Sequence, residues 1–504
     1  AFFGDSIQIA RVMRGFEGVA FDVCAAAPAR ELVNDADRVS AILAPLLALD
    51  AAKVTQVKLS NKSYSADAAE LMAEALNTLT AVDHVDIADV IAGRPEAEAL
   101  IVLSRLSAAF EARAADLTYI DVSDNALGQK GLDALLPLLR SRKLRTLNVC
   151  NNGMSADAAN QLADLVVPAA GETVLESLQY YNNMSADGGA DGVARIVASS
   201  PLMRDLRFSG TRTTRAGSLV IAESIAAHLT HLVTLDLADN LFGVNGAALL
   251  AAAIRKCPQL ASLNLRDCSL TDAGFALVSG AVVESASPLT KLDVSGNELT
   301  RAANWRPLVA STAATLEYLG AEENEFGNGG ARRLAAALLA SPPLRLATLL
   351  LASNEIADRG ATALAAALAP LAALATLEFN GNALGDDALE AFTSLFADVV
   401  LGEMDDNDPD LADGDDDDDD DPALFPRPLR VELAKDVPAR ATTELERRGV
   451  LWHPDFVGLS LAAYFRDCGL ENTRFDEFLL DDTYRTDPRA FVASTTLLLF
   501  PLSQ

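Results

Sequence analysis

A short pattern of apolar residues followed by asparagine recurs along most of the chain. In residues 118–128, TYIDVSDNALG, the apolar residues Ile120 and Val122 alternate with polar ones, and Asn125 follows three positions later. Equivalent positions lie 27 to 35 residues apart. These positions are Lys62, Val90, Asn125, Asn152, Asn183, Thr211, Asn240, Cys268, Asn297, Asn324, Asn354 and Asn382. Such even spacing indicates an internal repeat of about 29 residues, which restricts the fold more than any other feature of the sequence.

Each repeat predicts a strand, a turn and a helix. The alternating apolar residues indicate a short half-buried strand, and the asparagine side chain is expected to bond backbone groups that would otherwise be buried unpaired. After Asn240, a glycine turn leads into apolar residues at helical spacing up to Ile254. We therefore predict an α/β leucine-rich repeat solenoid, a horseshoe of the long, ribonuclease-inhibitor-like type, with parallel strands on its concave face and helices outside.

The distribution of charge and of the repeat predicts four regions. We expect an N-terminal cap at 1–52, the leucine-rich repeat domain at 53–402, an acidic disordered linker at 403–421 and a small C-terminal α+β domain of unknown role at 422–504. The linker holds thirteen acidic residues of a chain whose net charge is −31, and such a run repels itself and buries nothing. The sequence begins without methionine, so we expect a fragment or processed form.

Composition argues against several classes of function. The five cysteines are few and scattered, which favours a reducing compartment over a disulfide framework. His228 and His231 stand at helical spacing without a third ligand, so no metal site is expected. Phosphate binding needs clustered Lys and Arg, so nucleic acid is disfavoured. Residues 360–377 carry no charge, but they are mostly alanine and in phase with the repeat, so no membrane insertion is expected.

The strand positions between the buried residues predict an acidic concave face. Eleven acidic residues and three basic ones fall there: Asp86, Asp89, Asp121, Asp124, Asp236, Asp239, Asp267, Asp293, Glu322, Glu323 and Glu378 against Lys58, Arg207 and Arg266. Tyr181 and Asn182 face the same way, with Asn148, Cys150 and Asn151. An acidic concavity speeds association with basic partners, which favours a basic protein as ligand. A merely solvated face is the alternative.

Residues that bind the partner are predicted from this face and from the asparagine positions next to it. The candidates are Asp86, Asp89, Asp124, Asn152, Asn183, Asp236, Asp239, Asp267 and Asp293. We therefore expect the partner to bind at the concave face and the rim.

The longest interval, from Val90 to Asn125, contains the segment AGRPEAE at 92–98. Pro95 followed by glutamates is typical of a helix start. Gly93 and Arg94 are therefore expected in an enlarged loop on one rim, with Arg94 exposed. An ordinary solvated loop charge is the other interpretation of Arg94.

Four segments carry a resemblance to a known family. They are VDIADVIAGRPEAEAL at 85–100, DNALG at 124–128, LDLADNLFG at 235–243 and the acidic DDNDP at 405–409. Together they resemble the Ran GTPase-activating proteins, particularly the plant and algal members, over about residues 15–421. The plant-type amino-terminal WPP domain is not in this sequence, and residues 422–504 do not match the carboxy-terminal domain of the animal proteins.

This resemblance implies a GTPase activator that is not itself an enzyme. The chain would bind Ran-GTP, or another basic small GTPase, and speed its GTP hydrolysis. Many activators insert an arginine finger, but in this family a rim asparagine, matched by Asn125, is thought to hold the catalytic glutamine of the GTPase. Arg94 matches a loop arginine that is needed for activity but is not a finger. GTP and Mg²⁺ belong to the partner, so no cofactor is expected.

The resemblance also implies a role in nucleocytoplasmic transport, a cytoplasmic location that includes the nuclear envelope, and a Ran-binding protein as a further partner. Two other classes stay open. A non-catalytic binding scaffold of the ribonuclease-inhibitor type would share the long repeats and the acidic face. The repeat region of an innate-immunity receptor would normally accompany a nucleotide-binding module, and no G-x-x-x-x-G-K-[ST] phosphate loop occurs here.

Overall fold

The computed structural model describes residues 19–25, 28–126 and 128–409. The described chain forms two compact units. The first runs to Thr213 and includes His228–Leu232, and the second comprises Thr214–Ala227 and the residues from Val233 onward. The predicted acidic linker beyond residue 409 and the predicted domain at 422–504 lie outside the described residues, as do residues 1–18 of the predicted cap.

The first unit alternates short strands with helices. Its strands are β1 (Val19–Asp22), β2 (Glu31–Val33), β3 (Val54–Lys58), β4 (Lys62–Tyr64), β5 (His84–Asp86), β6 (Tyr119–Asp121), β7 (Thr146–Asn148), β8 (Ser177–Tyr181) and β9 (Asp205–Ser209). Its helices are α1 (Ala36–Leu47), α2 (Ala66–Leu76), α3 (Glu96–Ala108), α4 (Gly128–Ala134), α5 (Ala156–Val166) and α6 (Ala186–Ala198). Two short 3₁₀ helices, Glu111–Asp116 and Leu138–Arg140, lie between them.

Parallel pairing joins the strands of the first unit in chain order, from β1 through β3, β5, β6, β7 and β8 to β9. The central residue of most strands, such as Ile120 or Leu147, is fully buried against the helices. The flanking residues face away from them on the opposite side of the sheet, which we call the open face. Serine hydroxyls cap two helices: Ser65 accepts from the backbone N–H of Ala68 at 3.2 Å, and Ser155 does so from Ala158 at 3.3 Å.

The second unit repeats this arrangement. Its strands are β10 (Thr234–Asp236), β11 (Ser262–Asn264), β12 (Lys291–Asp293), β13 (Tyr318–Gly320), β14 (Thr348–Leu350), β15 (Thr376–Glu378) and β16 (Val400–Leu401), each parallel to the next. Its helices are α7 (Arg215–His228, of which residues 215–227 belong to this unit), α8 (Gly243–Ile254), α9 (Thr271–Ser285), α10 (Arg306–Thr312), α11 (Gly327–Ala340), α12 (Asp358–Leu368) and α13 (Asp386–Leu395). The predicted α/β leucine-rich repeat fold is confirmed in both units.

Buried asparagines join neighbouring repeats. Asn297 is fully buried, and its Nδ2 donates to the carbonyls of Leu265 at 2.8 Å and Val294 at 3.0 Å. Its Oδ1 accepts from the backbone N–H groups of Cys268 and Leu270, both at 3.1 Å. One amide thus satisfies backbone groups of two repeats, as the sequence predicts. We call the residues at this position the ladder residues.

A lysine takes the ladder position nearest the N-terminus. Lys62 is 0% exposed, and its Nζ donates to the carbonyl of Ala29 and lies 3.2 Å from Oε1 of Glu31. Glu31 also accepts from Nε of Arg38 at 2.9 Å. The short sheet formed by β2 and β4 therefore closes over a buried ammonium whose charge is balanced, which is the condition for burying it.

None of the helices in the described part of the chain combines the length and the apolar character needed to cross a bilayer.

Candidate functional site

Asn125 lies in the turn after β6, and it is 1% exposed. Its Nδ2 donates to the carbonyls of Ile87 at 2.8 Å and Val122 at 3.0 Å, and its Oδ1 accepts from the backbone N–H of Val90 at 3.0 Å. The structure therefore makes Asn125 a ladder residue that fixes the turn. Its contact with a partner's glutamine stays a prediction.

Two further candidates prove to be ladder residues as well. Asn152 and Asn183 are both fully buried. Asn152 donates through Nδ2 to the carbonyl of Val122 at 3.2 Å, and Asn183 does so to Val149 at 3.0 Å. Both amides are thus bonded inside their turns, and the contact of these two side chains with a partner stays a prediction.

Arg94 is not the exposed side chain that the sequence predicts, since only 11% of it is exposed. Its Nε donates to Oγ of Ser63 at 3.0 Å, and its Nη2 donates to Oδ1 of Asn34 at 2.6 Å. Glu98 lies 3.7 Å from Nη1. The enlarged loop itself is confirmed, with Gly93 at φ +73°, a conformation that glycine adopts without strain. Arg94 therefore fastens this loop to the preceding repeat.

The residue just before each ladder position has a left-handed backbone. We call these residues the rim row. In the first unit their φ angles lie between +51° and +63°, a region that favours Asn, Asp and Gly. The residues are Asn61, Asp89, Asp124, Asn151, Asn182 and Gly210. Each residue of the rim row has the same backbone conformation and precedes a buried ladder residue. These residues therefore occupy equivalent places in successive turns.

Side chains of the rim row bond to one another. Nδ2 of Asn182 donates to Oδ1 of Asn151 at 2.8 Å, and Nδ2 of Asn151 donates to Oδ1 of Asp124 at 2.7 Å. All three residues are exposed. The carboxylate of Asp89, by contrast, is 14% exposed and accepts from Nε of Arg30 at 2.8 Å. The exposed amides of the site therefore come from the rim row and not from the ladder.

A cavity of about 550 Å³ adjoins this row. Its lining includes Ile91, Arg94, Leu100, Leu103, Asp124 and Ala126. Glu96 and Lys130, which also line it, form an exposed ion pair. The cavity brings the loop of Arg94 and the turn of Asn125 into one site, as the sequence predicts for these two segments even though neither side chain is exposed.

Two carboxylates lie side by side on the open face of the first unit. Asp86 pairs in register with Asp121 on one side and with Lys58 on the other. Burial and the neighbouring Asp121 raise the pKa of Asp86 to about 7. Asp86 accepts from Oγ of Ser60 at 3.1 Å, and Asp121 accepts from Nδ2 of Asn148 at 2.9 Å. The predicted acidic face is present here, and part of its charge depends on pH.

The acidic residues of the second unit have a cation of their own. Arg266 donates from Nη1 to Oε2 of Glu322 at 2.8 Å, and from Nη2 to Glu323. Although burial favours the neutral form, the bond to Glu322 and the charge of Glu323 raise the pKa of Arg266. Asp293 is buried and accepts from the hydroxyl of Tyr318 at 3.1 Å. These side chains already have partners within the unit.

The remaining predicted acids of the second unit differ in exposure. Asp239 and Asp267 are exposed, and Asp236 is half-buried. Burial raises the pKa of Asp267. No group of three His, Cys, Asp or Glu side chains is arranged to hold a metal in the residues that the structure describes.

Arg30 is absent from the sequence predictions, whereas Asn151 and Asn182 are predicted to line the concave face but not to bind the partner. Arg30 precedes the first clear repeat, so no pattern marks it as a partner of Asp89. Asn151 and Asn182 do carry a signal, because each forms an Asn-Asn doublet with the ladder residue that follows it. The second residue of such a doublet is buried in the turn, which leaves the first one exposed.

Comparison with known sequences supports the repeat fold. A family model described as "Leucine Rich repeat" matches residues 115–136, 228–251 and 346–365. Part of the chain is similar to the ribonuclease inhibitor of Sus scrofa, with 27% identity over 215 residues, which is 42% of this chain and 47% of that protein. These matches agree with the α/β leucine-rich repeat fold of the described residues.

Two plant proteins share higher identity over shorter segments. RAN GTPase-activating protein 1 of Arabidopsis thaliana is 42% identical over 89 residues, or 18% of this chain and 16% of that protein. RAN GTPase-activating protein 2 of the same plant is 32% identical over 145 residues, or 28% of this chain and 26% of that protein. The matches thus span about a sixth and a quarter of those relatives, and the chain resembles the Ran GTPase-activating proteins in these segments.

Proposed function

We propose that this chain stimulates GTP hydrolysis by Ran or a closely similar basic small GTPase. The observation that carries the proposal is the 42% identity over 89 residues to a plant RAN GTPase-activating protein. The partner would bring GTP, Mg²⁺ and the reacting groups, while this chain would act by positioning. A cytoplasmic location, including the nuclear envelope, and a further contact with a Ran-binding protein belong to the same proposal.

The side chain that positions the partner's glutamine is Asn125 in this proposal, as the resemblance implies. Asn125 lines the cavity together with Arg94 and Asp124, and its Oδ1 accepts from the backbone N–H of Val90. An amide oxygen has two lone pairs. Asn125 can therefore accept a hydrogen bond from a glutamine side chain while it keeps its bonds inside the turn.

Arg94 takes a structural part in the proposed reaction. An arginine finger must leave its own protein to meet the charge that develops on the γ-phosphate. Here the guanidinium is bonded to Ser63 and Asn34 and lies near Glu98. Its contribution would be to hold the 91–95 loop beside Asp124, so that the partner meets a formed surface.

Charge supports a basic partner. Asp124, Asp239 and Asp267 are exposed, and Asp89 and Asp236 are partly so. Asp86 and Asp293 are less accessible, so they would act on a partner through the electrostatic field of the open face and not by direct contact. Such a field raises the association rate with a basic protein and is weakened by salt.

Single-turnover hydrolysis of GTP by Ran, with and without saturating chain, tests the proposal. Stimulation by the wild-type chain is expected, with a drop on the order of 10² for Asn125→Ala, because a group that acts on the transition state is lost. Asn297→Ala, which removes an equally buried ladder amide of the second unit, is the matched control. A wild-type chain that leaves the rate unchanged refutes the proposal.

A second candidate is a binding scaffold without effect on hydrolysis. The similarity to ribonuclease inhibitor, which covers 42% of the chain, favours it. The same assay separates the two functions, because a scaffold would bind Ran-GTP or another basic protein and leave the hydrolysis rate unchanged.

A further inference from the structure

We infer that Arg30 is a recognition residue whose outward edge binds a carboxylate of the partner protein. This inference rests on the proposed function, which places the partner at the concave face and the rim. Arg30 lies in the N-terminal cap, in residues 28–31, which we call the cap segment. Its side chain is 58% exposed, yet it is bonded to Asp89 of the rim row.

The cap segment is fastened to the first turns by groups other than the Arg30 side chain. Nδ2 of Asn61 donates to the carbonyl of Pro28 at 2.7 Å, and Nζ of Lys62 donates to the carbonyl of Ala29. The residue after Arg30 begins β2, which pairs in parallel with β4. The cap segment therefore keeps these attachments when the side chain of Arg30 is replaced.

Asp89 fixes the orientation of the Arg30 guanidinium. Nε of Arg30 donates to Oδ2 of Asp89 at 2.8 Å, and Nη2 donates to Oδ1 of the same carboxylate. Two parallel bonds to a planar group fix its direction as well as its position. Asp89 is 14% exposed and has the left-handed backbone of the rim row, so the guanidinium is held from a rigid base.

The bonds to Asp89 use one edge of the guanidinium and leave a second edge open. A guanidinium has five N–H donors, and Asp89 accepts from two of them. One N–H on Nη1 and the remaining N–H on Nη2 point away from Asp89 side by side, and this fork matches the two oxygens of a carboxylate. Among the described residues, this second edge has no hydrogen-bond partner. Arg30 thus presents an oriented fork to a group outside the chain.

Arg30 lies at the part of the rim that the proposed function uses. Strands β5 and β6 are paired, and paired strands lie about 4.8 Å apart, so Asp89 and Asp124 are neighbours in the rim row. The hydrogen bond to Asp89 raises the pKa of Arg30 despite some desolvation, and the charge of Asp124 adds to the rise. Asp124 lines the cavity together with Asn125. A partner that reaches Asn125 therefore comes within reach of Arg30.

A carboxylate of the partner protein is the group that suits this fork. The phosphates of GTP are bound within the partner, and a guanidinium that keeps two bonds to Asp89 cannot extend into that site. An acidic residue of the partner is attracted at Arg30 and repelled by the acids of the open face. Arg30 would therefore select the register in which a basic partner binds.

The affinity of the full chain for Ran loaded with a non-hydrolysable GTP analogue tests the inference. Arg30→Gln removes both the charge and the fork, whereas Arg30→Lys keeps the charge and removes the fork. Arg345→Gln is the matched control, because Arg345 is 61% exposed and also pairs with a carboxylate, that of Glu317. We expect a loss of affinity of about 10-fold for Arg30→Gln, about 5-fold for Arg30→Lys and less than about 2-fold for Arg345→Gln.

A role in charge steering alone predicts a different result. Removal of a positive charge from an acidic surface strengthens the attraction of a basic partner, so Arg30→Gln would bind at least as tightly as wild type. Arg30→Lys, which keeps the charge, would match wild type. Either of these results overturns the inference, and so does an equal loss of affinity in Arg30→Gln and Arg345→Gln.

Asp89 is a positioning residue in this inference, and a double-mutant cycle tests its part. Asp89→Asn should weaken binding about 3-fold in the wild-type chain and have almost no effect in the Arg30→Gln chain, because it acts through the guanidinium. Equal effects in both chains would mean that Asp89 acts independently of Arg30, which overturns its positioning role.

Failure of the inference and failure of the proposed function remain distinct. If the wild-type chain stimulates hydrolysis and Arg30→Gln binds as tightly as wild type, only the recognition role of Arg30 is wrong. If Arg30→Gln weakens binding but the wild-type chain leaves the hydrolysis rate unchanged, the recognition role stands and the proposed activation is refuted. A wild-type chain that does not bind Ran-GTP refutes both.

Discussion

The rim row of the first unit and the acidic open face of the second unit use polar side chains in opposite ways. In the first unit, Asp124, Asn151 and Asn182 bond in one direction and leave defined donors and acceptors at the surface. In the second unit, Arg266 reaches Glu322 and Glu323 and uses their charge internally. Both regions follow from the same repeat. The difference teaches that the number of charged residues on a repeat surface does not measure what that surface offers to a partner.

The largest expected effect distinguishes a ladder asparagine of the first unit from one of the second unit. Asn125→Ala and Asn297→Ala should each lower the free energy of unfolding by roughly 1 to 3 kcal/mol, because each leaves buried backbone groups unpaired. Asn125→Ala should also lower the stimulated hydrolysis rate by on the order of 10², since its amide positions the partner's glutamine in the proposed function, whereas Asn297→Ala should leave that rate nearly unchanged. Urea denaturation and single-turnover hydrolysis are the measurements.

An equal loss of rate in both ladder variants would break this comparison. It would mean that activity follows the stability of the repeats in general, and that the turn of Asn125 holds no special part of the site.

The next effect concerns pH. Burial and Asp121 raise the pKa of Asp86 to about 7, above the value near 4 of an unfolded chain. Between these values the folded state holds a proton that the unfolded state has lost, so stability should fall as pH rises from about 4 to 7. Asn in place of Asp86 should remove that fall and raise the free energy of unfolding at pH 8 by about 1 to 3 kcal/mol.

Urea midpoints at several values between pH 5 and pH 8 check the Asp86→Asn prediction. Asp133→Asn is the control, because Asp133 is an exposed carboxylate that accepts from Nε2 of Gln161 at 2.6 Å. A wild-type midpoint that does not change with pH, or that rises through this window, would contradict the prediction.

The smallest expected effect concerns the second unit. Arg266→Gln frees Glu322 and Glu323 from their internal cation, so the association rate with a basic GTPase should rise about 2- to 5-fold at low salt. This gain should vanish between about 0.1 and 0.5 M salt, as charges are screened within ~10 Å. Stopped-flow association over this salt range is the measurement. An association rate that neither the substitution nor salt alters would show that these carboxylates do not steer the partner.

The repeat period predicts the fold well because it is a local pattern. The alternating apolar residues give strands such as β6 and β7, and the ladder position gives buried asparagines. The site is predicted less well for a physical reason. The pattern that identifies Asn125 predicts the bonds its amide makes inside the turn, but it does not specify what the same side chain offers to a partner.

The exposure of Arg94 could not be predicted because its partners are distant in sequence. Ser63 lies 31 residues away and Asn34 lies 60 residues away, and the pattern of apolar and ladder positions does not specify which groups a loop side chain bonds. The exposure of Asn151 could be predicted, since the Asn-Asn doublet with Asn152 places one amide on each side of the turn.

The buried ammonium of Lys62 gives the N-terminal end of the first unit a built-in reporter of local opening. In acylation the neutral amine attacks the acyl carbon of a reagent dissolved in water and expels its leaving group, but this Nζ is enclosed beneath β2 with Glu31 as counter-ion. Acylation of Lys62 can then proceed only during moments when the short sheet of β2 and β4 detaches. The labelling rate, followed by peptide mass spectrometry, would measure how often this end of the repeat array frays while the rest of the chain stays folded.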